Sequence, residues 1–174
     1  MKLGKGWRNR QGKGFEAEVR ESLKYVAEKQ NVPIFWQRLY DYRDYLIVHK
    51  NIQVPHQPSD FYAVVWGRFY FLECKSTHIN RVRYDTLKPH QKEAQIAVKK
   101  AGGNGYILLS SRTYPKAPNR CWALTIEQWQ MLEDRCIKED RKTFSLDEAA
   151  QIGKELQRSN GVWLLLPCFI HIRI

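Results

Sequence analysis

Apolar positions recur at helical spacing in the first third of the chain and again in its middle. Residues 15–30 carry Phe15, Val19, Leu23 and Val26 on one face, and this pattern predicts an amphipathic helix. A second helix is predicted to begin near Pro89, because proline is favoured at the first helical position, and to stop at the glycine pair at 102–103.

Two further helices are indicated by their starting residues. Thr125 with Gln128, and Ser145 with Glu148, have the spacing of a capping box, in which each side chain satisfies a backbone amide of the other residue. The helices are predicted to run to about residues 137 and 156.

Short apolar and aromatic runs between these segments predict strands. They lie at residues 34–39, 61–66, 69–74, 106–111 and 121–124, with strand-like terminal runs at 162–166 and 169–174. Gly67-Arg68 between the second and third runs predicts a hairpin. This order of elements predicts an α/β fold, a mixed β-sheet flanked by helices.

The composition narrows the class of protein. With 174 residues, 43% of them hydrophobic, the chain is expected to form one domain with its own core, and the polar, basic start at residues 1–13 does not resemble a secretory signal. Disordered and membrane-spanning proteins are excluded as classes.

We expect a cytoplasmic protein with no membrane partner, bound to the nucleoid or, for a viral protein, in the host cytoplasm. Its four separated cysteines predict reduced, mostly buried thiols and no structural zinc.

Positive charge is concentrated in the first two thirds of the chain. Residues 1–120 hold 22 basic and 10 acidic residues, whereas residues 121–174 hold 7 and 8. Residues 1–13 alternate basic residues with glycine and predict a flexible basic arm ahead of a domain at 14–174. An arm alone could equally be a solvated terminus, but together with the positive charge of the adjoining residues we expect it to contact nucleic-acid phosphates. Its candidate contacts are Lys5, Arg8, Arg10 and Lys13.

Three charged residues stand out around the predicted hairpin. Glu73 and Lys75 are two positions apart in an otherwise apolar strand, so their side chains share one face, and Asp60 opens the partner strand. Two converging carboxylates supply the oxygen ligands that Mg²⁺ or Mn²⁺ prefers. A metal held there, with Lys75 beside it, predicts phosphodiester hydrolysis. A Glu-x-Lys triplet alone occurs by chance and could be a surface ion pair.

These residues resemble the PD-(D/E)xK nuclease superfamily and, within it, Holliday-junction resolvases of the RecU and archaeal Hjc type. Asp60, Glu73 and Lys75 match its central motif. Gly14-Phe15-Glu16 matches a signature whose Glu joins the metal site, and His90-Gln91 matches a pair that follows the Glu-x-Lys strand. Taken alone, Glu16 and Gln91 could be ordinary helix-surface residues.

The resemblance implies a restriction-endonuclease-like domain, with a catalytic core at residues 14–111 and additional strands and helices at 121–174. It implies catalytic roles for Glu16, Asp60, Glu73, Lys75 and Gln91, with the three acids binding Mg²⁺ and Mn²⁺ able to substitute. It also implies a homodimer that resolves four-way DNA junctions by paired symmetric nicks during recombination and repair. Further DNA contacts are expected from Arg81, Arg83 and Lys88.

Two other functions remain compatible with the sequence. One is a restriction- or repair-type endonuclease acting on duplex or flapped DNA, and the other is a DNA-binding module without catalysis. By position alone, residues 40–58 could form a protrusion that enters the junction.

Overall fold

A computed structural model describes residues 5–39, 56–112 and 118–170, with side chains from residue 13 onward. The strands are β1 (Ile34–Arg38), β2 (Phe61–Val65), β3 (Arg68–Thr77), β4 (Arg81–Arg83), β5 (Asn104–Ser111), β6 (Arg120–Thr125), β7 (Thr143–Ser145), β8 (Lys154–Leu156), β9 (Arg158–Ser159) and β10 (Val162–Trp163). The helices of the described residues are α1 (Lys5–Lys29), α2 (Pro89–Lys100), α3 (Ile126–Lys138), α4 (Leu146–Ile152) and α5 (Leu166–Phe169), and a 3-10 turn lies at Tyr84–Thr86.

Six strands form a mixed sheet in the order β1-β2-β3-β5-β6-β8. All neighbours pair antiparallel except β3 and β5, which are parallel and are connected through α2. Strands β4 and β7 form a separate two-stranded ribbon, as do β9 and β10. The predicted α/β class, a mixed sheet flanked by helices, is confirmed.

The sheet has a hydrophobic core on each face. Phe15, Val19, Leu23 and Val26 of α1 are buried on one face, together with apolar residues of the C-terminal segment. The second core lies under α3 and α4 and includes Trp129. Each fully buried large side chain contributes roughly 1.5–3 kcal/mol, so the amphipathic pattern of α1 accounts for its attachment to the sheet.

The start of the chain differs from the prediction. Helix α1 begins at Lys5, so the backbone of residues 5–13 is helical and is not a flexible arm. Arg, Lys and Gln between the glycines are good helix formers, and each glycine costs only about 1 kcal/mol relative to alanine. Extending a helix that is already anchored adds one hydrogen bond per residue, which outweighs this penalty.

The predicted hairpin is present with a shifted turn. Strand β2 ends at Val65 and β3 starts at Arg68, so the turn residues are Trp66 and Gly67 and not Gly67-Arg68. Both turn residues have positive φ, 49° and 75°, as a two-residue turn between right-twisted strands requires. Strand β3 extends to Thr77 and therefore includes Glu73 and Lys75.

Two predictions for the C-terminal third also need correction. Helix α4 ends at Ile152, because Gly153 is extended and the next three residues form β8 at the edge of the sheet. The strand predicted at residues 169–174 is not found where the chain is described: Leu166–Phe169 is a helical turn with Pro167 near its start. Both capping boxes are confirmed, at Thr125 and Ser145.

Three further predictions concern the cysteines, the possible protrusion and membrane-spanning segments. All four cysteines are free, three of them buried and Cys74 half-buried, as expected. Of the possible protrusion at 40–58, residues 40–55 lie outside the described part of the chain. Among the described helices, none is both long and apolar enough to cross a membrane.

Candidate active site

The β2–β3 hairpin brings Asp60 against the middle of β3. Asp60 immediately precedes β2, and Phe61 pairs with Leu72, which places Asp60 beside Glu73 and Cys74. The backbone amide of Cys74 donates a hydrogen bond of 2.7 Å to Asp60 Oδ2. The carboxylate is therefore fixed by the hairpin register, which is the arrangement that the sequence predicted.

Glu73 is the most deeply buried acid of the site, with 1% of its surface exposed. Its Oε1 accepts hydrogen bonds from Lys75 Nζ at 2.6 Å and from Gln91 Nε2 at 2.7 Å. Glu73 and Lys75 thus share one face of β3, as their spacing predicted. Glu73 Oε2 is buried and has no hydrogen-bond partner. A buried, unpartnered carboxylate oxygen is costly unless something else binds it.

Gln91 is placed by the start of α2. Pro89 occupies the first turn of this helix, and Gln91 Oε1 accepts hydrogen bonds from the Lys88 amide at 3.0 Å and from Lys75 Nζ at 3.1 Å. One amide side chain therefore caps α2 and contacts both Glu73 and Lys75 of β3. The preceding His90 stacks on His56, with ring centroids 4.7 Å apart.

Glu16 reaches the site from α1. Its Oε2 accepts a hydrogen bond from the Arg38 guanidinium at the end of β1. Burial is the main cause of the raised pKa of both Asp60 and Glu73, and the Glu16 charge adds to each shift. The structure thus brings Glu16, Asp60, Glu73, Lys75 and Gln91 together, as the motifs predicted.

The electrostatics of the site are dominated by burial of like charges. Burial raises the pKa of Asp60 to about 8, with the Glu73 charge as the second cause and the Cys74 hydrogen bond opposing it. Burial also raises the pKa of Glu73, and Lys75 opposes that shift through its charge and hydrogen bond. Carboxylates held this way need an additional positive charge to be ionised together.

The donor set fits a hard divalent cation. Carboxylate oxygens are the ligands that Mg²⁺ prefers, and the unpartnered Glu73 Oε2 is an available one. As they stand, no three His, Cys, Asp or Glu side chains in the described residues are grouped closely enough to hold a metal. The hydrogen bonds to Cys74, Lys75 and Arg38 occupy carboxylate oxygens that a metal would require.

The predicted DNA contacts are only partly described. Lys13, Arg81, Arg83 and Lys88 are exposed, and Arg83 is paired with Asp85. Lys5, Arg8 and Arg10 lie on α1, but their side chains are outside the described part. A cavity of about 230 Å³ is lined by Lys75, by Arg81 and Arg83, and by residues 76–79.

Arg38 is the site residue that the sequence reasoning missed. It ends a short apolar strand and belongs to no motif, so only its contact with Glu16 reveals its place. The sequence offers one weak indication of its role: Arg38 is a basic residue at the end of a run of β-forming residues.

Comparison with known proteins places the chain in a family. No curated protein matches it. Among solved structures it is similar to Archaeoglobus fulgidus Hjc, a Holliday junction resolvase from an archaeal hyperthermophile, with 17% identity over 83% of this chain and 95% of that chain and a TM-score of 0.47. The family model for Recombination protein U matches residues 10–170, which include every motif residue above. The chain therefore belongs to the Recombination protein U (RecU) family, as the motifs indicated.

Proposed function

We propose that this protein is a Mg²⁺-dependent endonuclease that resolves Holliday junctions by paired symmetric nicks. Family membership supports action in DNA recombination. The observation that carries the proposed chemistry is the cluster of Asp60 and the buried Glu73 with Lys75 and Gln91 bonded to Glu73. A buried pair of acids with raised pKa values is unfavourable for folding alone, which supports a functional role.

Asp60, Glu73 and Glu16 would hold the cation, with Mn²⁺ able to replace Mg²⁺. When bound, the cation supplies positive charge that polarises the scissile phosphate and acidifies a water. Holding the acids in place is the task of the surrounding contacts: the Cys74 amide fixes Asp60, and Arg38 orients Glu16.

Lys75 and Gln91 are the groups that we assign to the substrate side of the site. The side chain of Lys75 is 17% exposed, and its ammonium can donate to a phosphate oxygen or to the attacking water. Gln91 bonds to both Glu73 and Lys75, so it sets the direction of the amine. The exposed Lys13, Arg81, Arg83 and Lys88 would contact neighbouring phosphates.

A homodimer is part of the proposal, because two symmetric cuts require two sites. The sheet offers an uncharged surface for it: Phe35, Gln37, Tyr62, Val64, Phe69 and Phe71 lie on one face of β1, β2 and β3. Phe35 is 61% exposed, and Tyr62 stacks on Phe69 with centroids 5.8 Å apart. We call this surface the aromatic face.

The aromatic face suits a second copy better than DNA. A chain with a net charge of +11 repels its copies, so an uncharged aromatic surface is where two of them can approach closely. Its tyrosine hydroxyl is already paired within the face, since Tyr62 Oη donates to Gln37 Oε1 at 2.8 Å. DNA binding would instead call for cationic residues.

The proposed function is tested by cleavage of a labelled four-way junction and of its matched linear duplex, with Mg²⁺ or with EDTA. The wild type is compared with Glu73→Gln and with the control Glu93→Gln, an exposed acid on α2. We expect paired Mg²⁺-dependent nicks in the junction alone, lost in Glu73→Gln and retained in Glu93→Gln.

Other results would contradict the proposal in identifiable ways. Equal cleavage of duplex and junction would indicate a general endonuclease. Tight binding without cleavage under Mg²⁺ or Mn²⁺ would indicate a DNA-binding module.

A further inference from the structure

A second charged cluster surrounds Glu18, on the other side of α1 from Glu16. Glu18 Oε2 accepts hydrogen bonds from Arg112 at 2.8 Å and from the indole Nε1 of Trp163 at 3.1 Å. Arg158 lies 3.4 Å from Glu18 Oε1. The three partners come from the end of β5 and from the β9–β10 hairpin, so one carboxylate joins three distant parts of the chain.

Arg112 connects this cluster to the end of β3, the strand that carries Glu73 and Lys75. Its backbone amide donates to the carbonyl of Thr77 at 2.7 Å, two residues beyond Lys75. Its guanidinium lies over the Phe15 ring, 5.8 Å from the centroid, and only 3.5 Å from where a side chain on Gly14 would begin. Arg112 therefore contacts the turn of α1 that carries Glu16.

The β9–β10 hairpin holds the next turn of the helix. The backbone amide of Trp163 donates to Ser22 Oγ at 2.9 Å, and Ser22 Oγ donates to the Glu18 carbonyl at 2.7 Å. Trp163 is 1% exposed and Ser22 is fully buried. Trp163 therefore bonds to α1 twice, through its backbone amide to Ser22 and through its indole to Glu18. These two bonds fix the position of α1 along its axis and its rotation.

We infer that Glu18 is a positioning residue, which holds α1 so that Glu16 stands beside Asp60 and Glu73. The inference rests on the proposed function. It gives the C-terminal segment a role: Arg158 and Trp163 act on the site through Glu18 without touching substrate.

The burial of the cluster makes this role effective. The side chains of Arg112 and Glu18 are 11% and 21% exposed, so solvent screens their ion pair far less than a surface pair. Glu18 lies two residues from Glu16 on a rigid helix, and therefore a rotation or slide of α1 moves the Glu16 carboxylate. A displacement of about 1 Å at a catalytic group can cost on the order of 100-fold in rate.

The test compares Glu18→Ala with Glu18→Gln, Trp163→Phe and the control Glu21→Ala. The amide oxygen of Gln can still accept from Arg112 and Trp163, whereas Phe keeps the packing of Trp163 but loses its N–H. Glu21 lies on the same helix and forms exposed ion pairs with Arg20 and Lys24. Junction affinity, single-turnover cleavage rate and Mg²⁺ affinity by titration calorimetry are measured where circular dichroism shows each variant folded.

We expect Glu18→Ala to lower the cleavage rate on the order of 10- to 100-fold and to weaken Mg²⁺ binding, with junction affinity unchanged. Glu18→Gln should restore most of both quantities, Trp163→Phe should lie between them, and Glu21→Ala should match the wild type. A folded Glu18→Ala with wild-type rate and Mg²⁺ affinity overturns the inference. If the wild type cuts no junction, the proposed function fails, and the Mg²⁺ affinities still decide the positioning role.

Discussion

The amide of Cys74 holds the carboxylate of Asp60 at 2.7 Å across the β2–β3 hairpin. That bond fixes a second acid next to Glu73, in a place where burial already disfavours charge. The burial of Asp60 and Glu73 next to each other therefore destabilises the metal-free protein when both are ionised. Such a cost is expected where a bound cation, and not the fold itself, benefits from the arrangement.

Replacing Asp60 by Asn should stabilise the metal-free protein while abolishing cleavage. The Asn oxygen can keep the Cys74 bond, but the carboxyl, whose pKa is raised to about 8 by burial and by the Glu73 charge, is gone. A carboxyl whose pKa is higher in the folded state contributes its full stability below about pH 4, and this contribution is lost as pH rises to about 8. In EDTA, the melting temperature of Asp60→Asn should exceed that of the wild type by a margin that widens across this range.

The matched control for this measurement is Asp134→Asn, a change at an acid on α3 away from the site. It should leave both the melting temperature and cleavage near wild type. A margin for Asp60→Asn that stays constant between pH 4 and 8 would show that Asp60 is not protonated in the folded protein.

Mg²⁺ affinity should rise with pH up to about pH 8. A proton on Asp60 competes with the cation, so each unit below this pKa should weaken binding by up to about tenfold if one proton is displaced. Calorimetric titrations with Mg²⁺ in buffers of different ionisation enthalpy, at pH 6.5, 7.5 and 8.5, measure both the affinity and the number of protons released. Equal affinity at all three values, without proton release, would contradict the assignment of Asp60 as a ligand.

Most of the candidate site was predictable because its members follow from local geometry. Strand periodicity alone places Glu73 and Lys75 on one face, and a two-residue turn is enough to bring Asp60 opposite them. Glu16 and Gln91 required the resemblance, since a first-turn acid and a helix-start glutamine have ordinary structural uses. Their convergence depends on how α1 and α2 pack on the sheet, which spacing does not encode.

Two errors in the fold arise because a neighbouring element overrides a local signal. Glycines at 6, 12 and 14 favoured an arm, yet the anchored α1 continues through them. The helix that starts at Ser145 was predicted to run to about residue 156, but β6 offers an unpaired edge and residues 154–156 pair with it. Arg38 and the Glu18 cluster depend on partners 22 or more residues away, beyond the reach of any local pattern.

Gln91 should affect the rate of cleavage more than stability. Truncation to Ala removes the hydrogen bonds to Glu73 and Lys75 and leaves the amine of Lys75 less constrained. The loss of the Lys88 cap should cost about 1 kcal/mol, while the cleavage rate should fall on the order of 10- to 100-fold. Urea unfolding and single-turnover cleavage measure the two effects separately. The control is Gln128→Ala, which removes a capping bond from α3. If Gln91→Ala loses no more cleavage rate than this control, Gln91 acts as a helix cap and has no role in cleavage.

Introducing charge on the aromatic face should separate the proposed dimer. Phe35→Asp places a carboxylate on β1 near the Tyr62 ring, whose centroid lies 6.1 Å from that of Phe35, and a second copy would bury that charge without a partner. Interface aromatic residues of this kind can contribute about 2 kcal/mol or more, so the dissociation constant should rise at least about 30-fold. Sedimentation velocity across a concentration series measures this shift.

Ile137→Asp is the matched control, because Ile137 is 58% exposed on α3 and far along the chain from β1. If both variants sediment like the wild type, the aromatic face is not the dimer contact; if only Phe35→Asp becomes monomeric and loses paired nicking, the face and the symmetry of the cuts are linked.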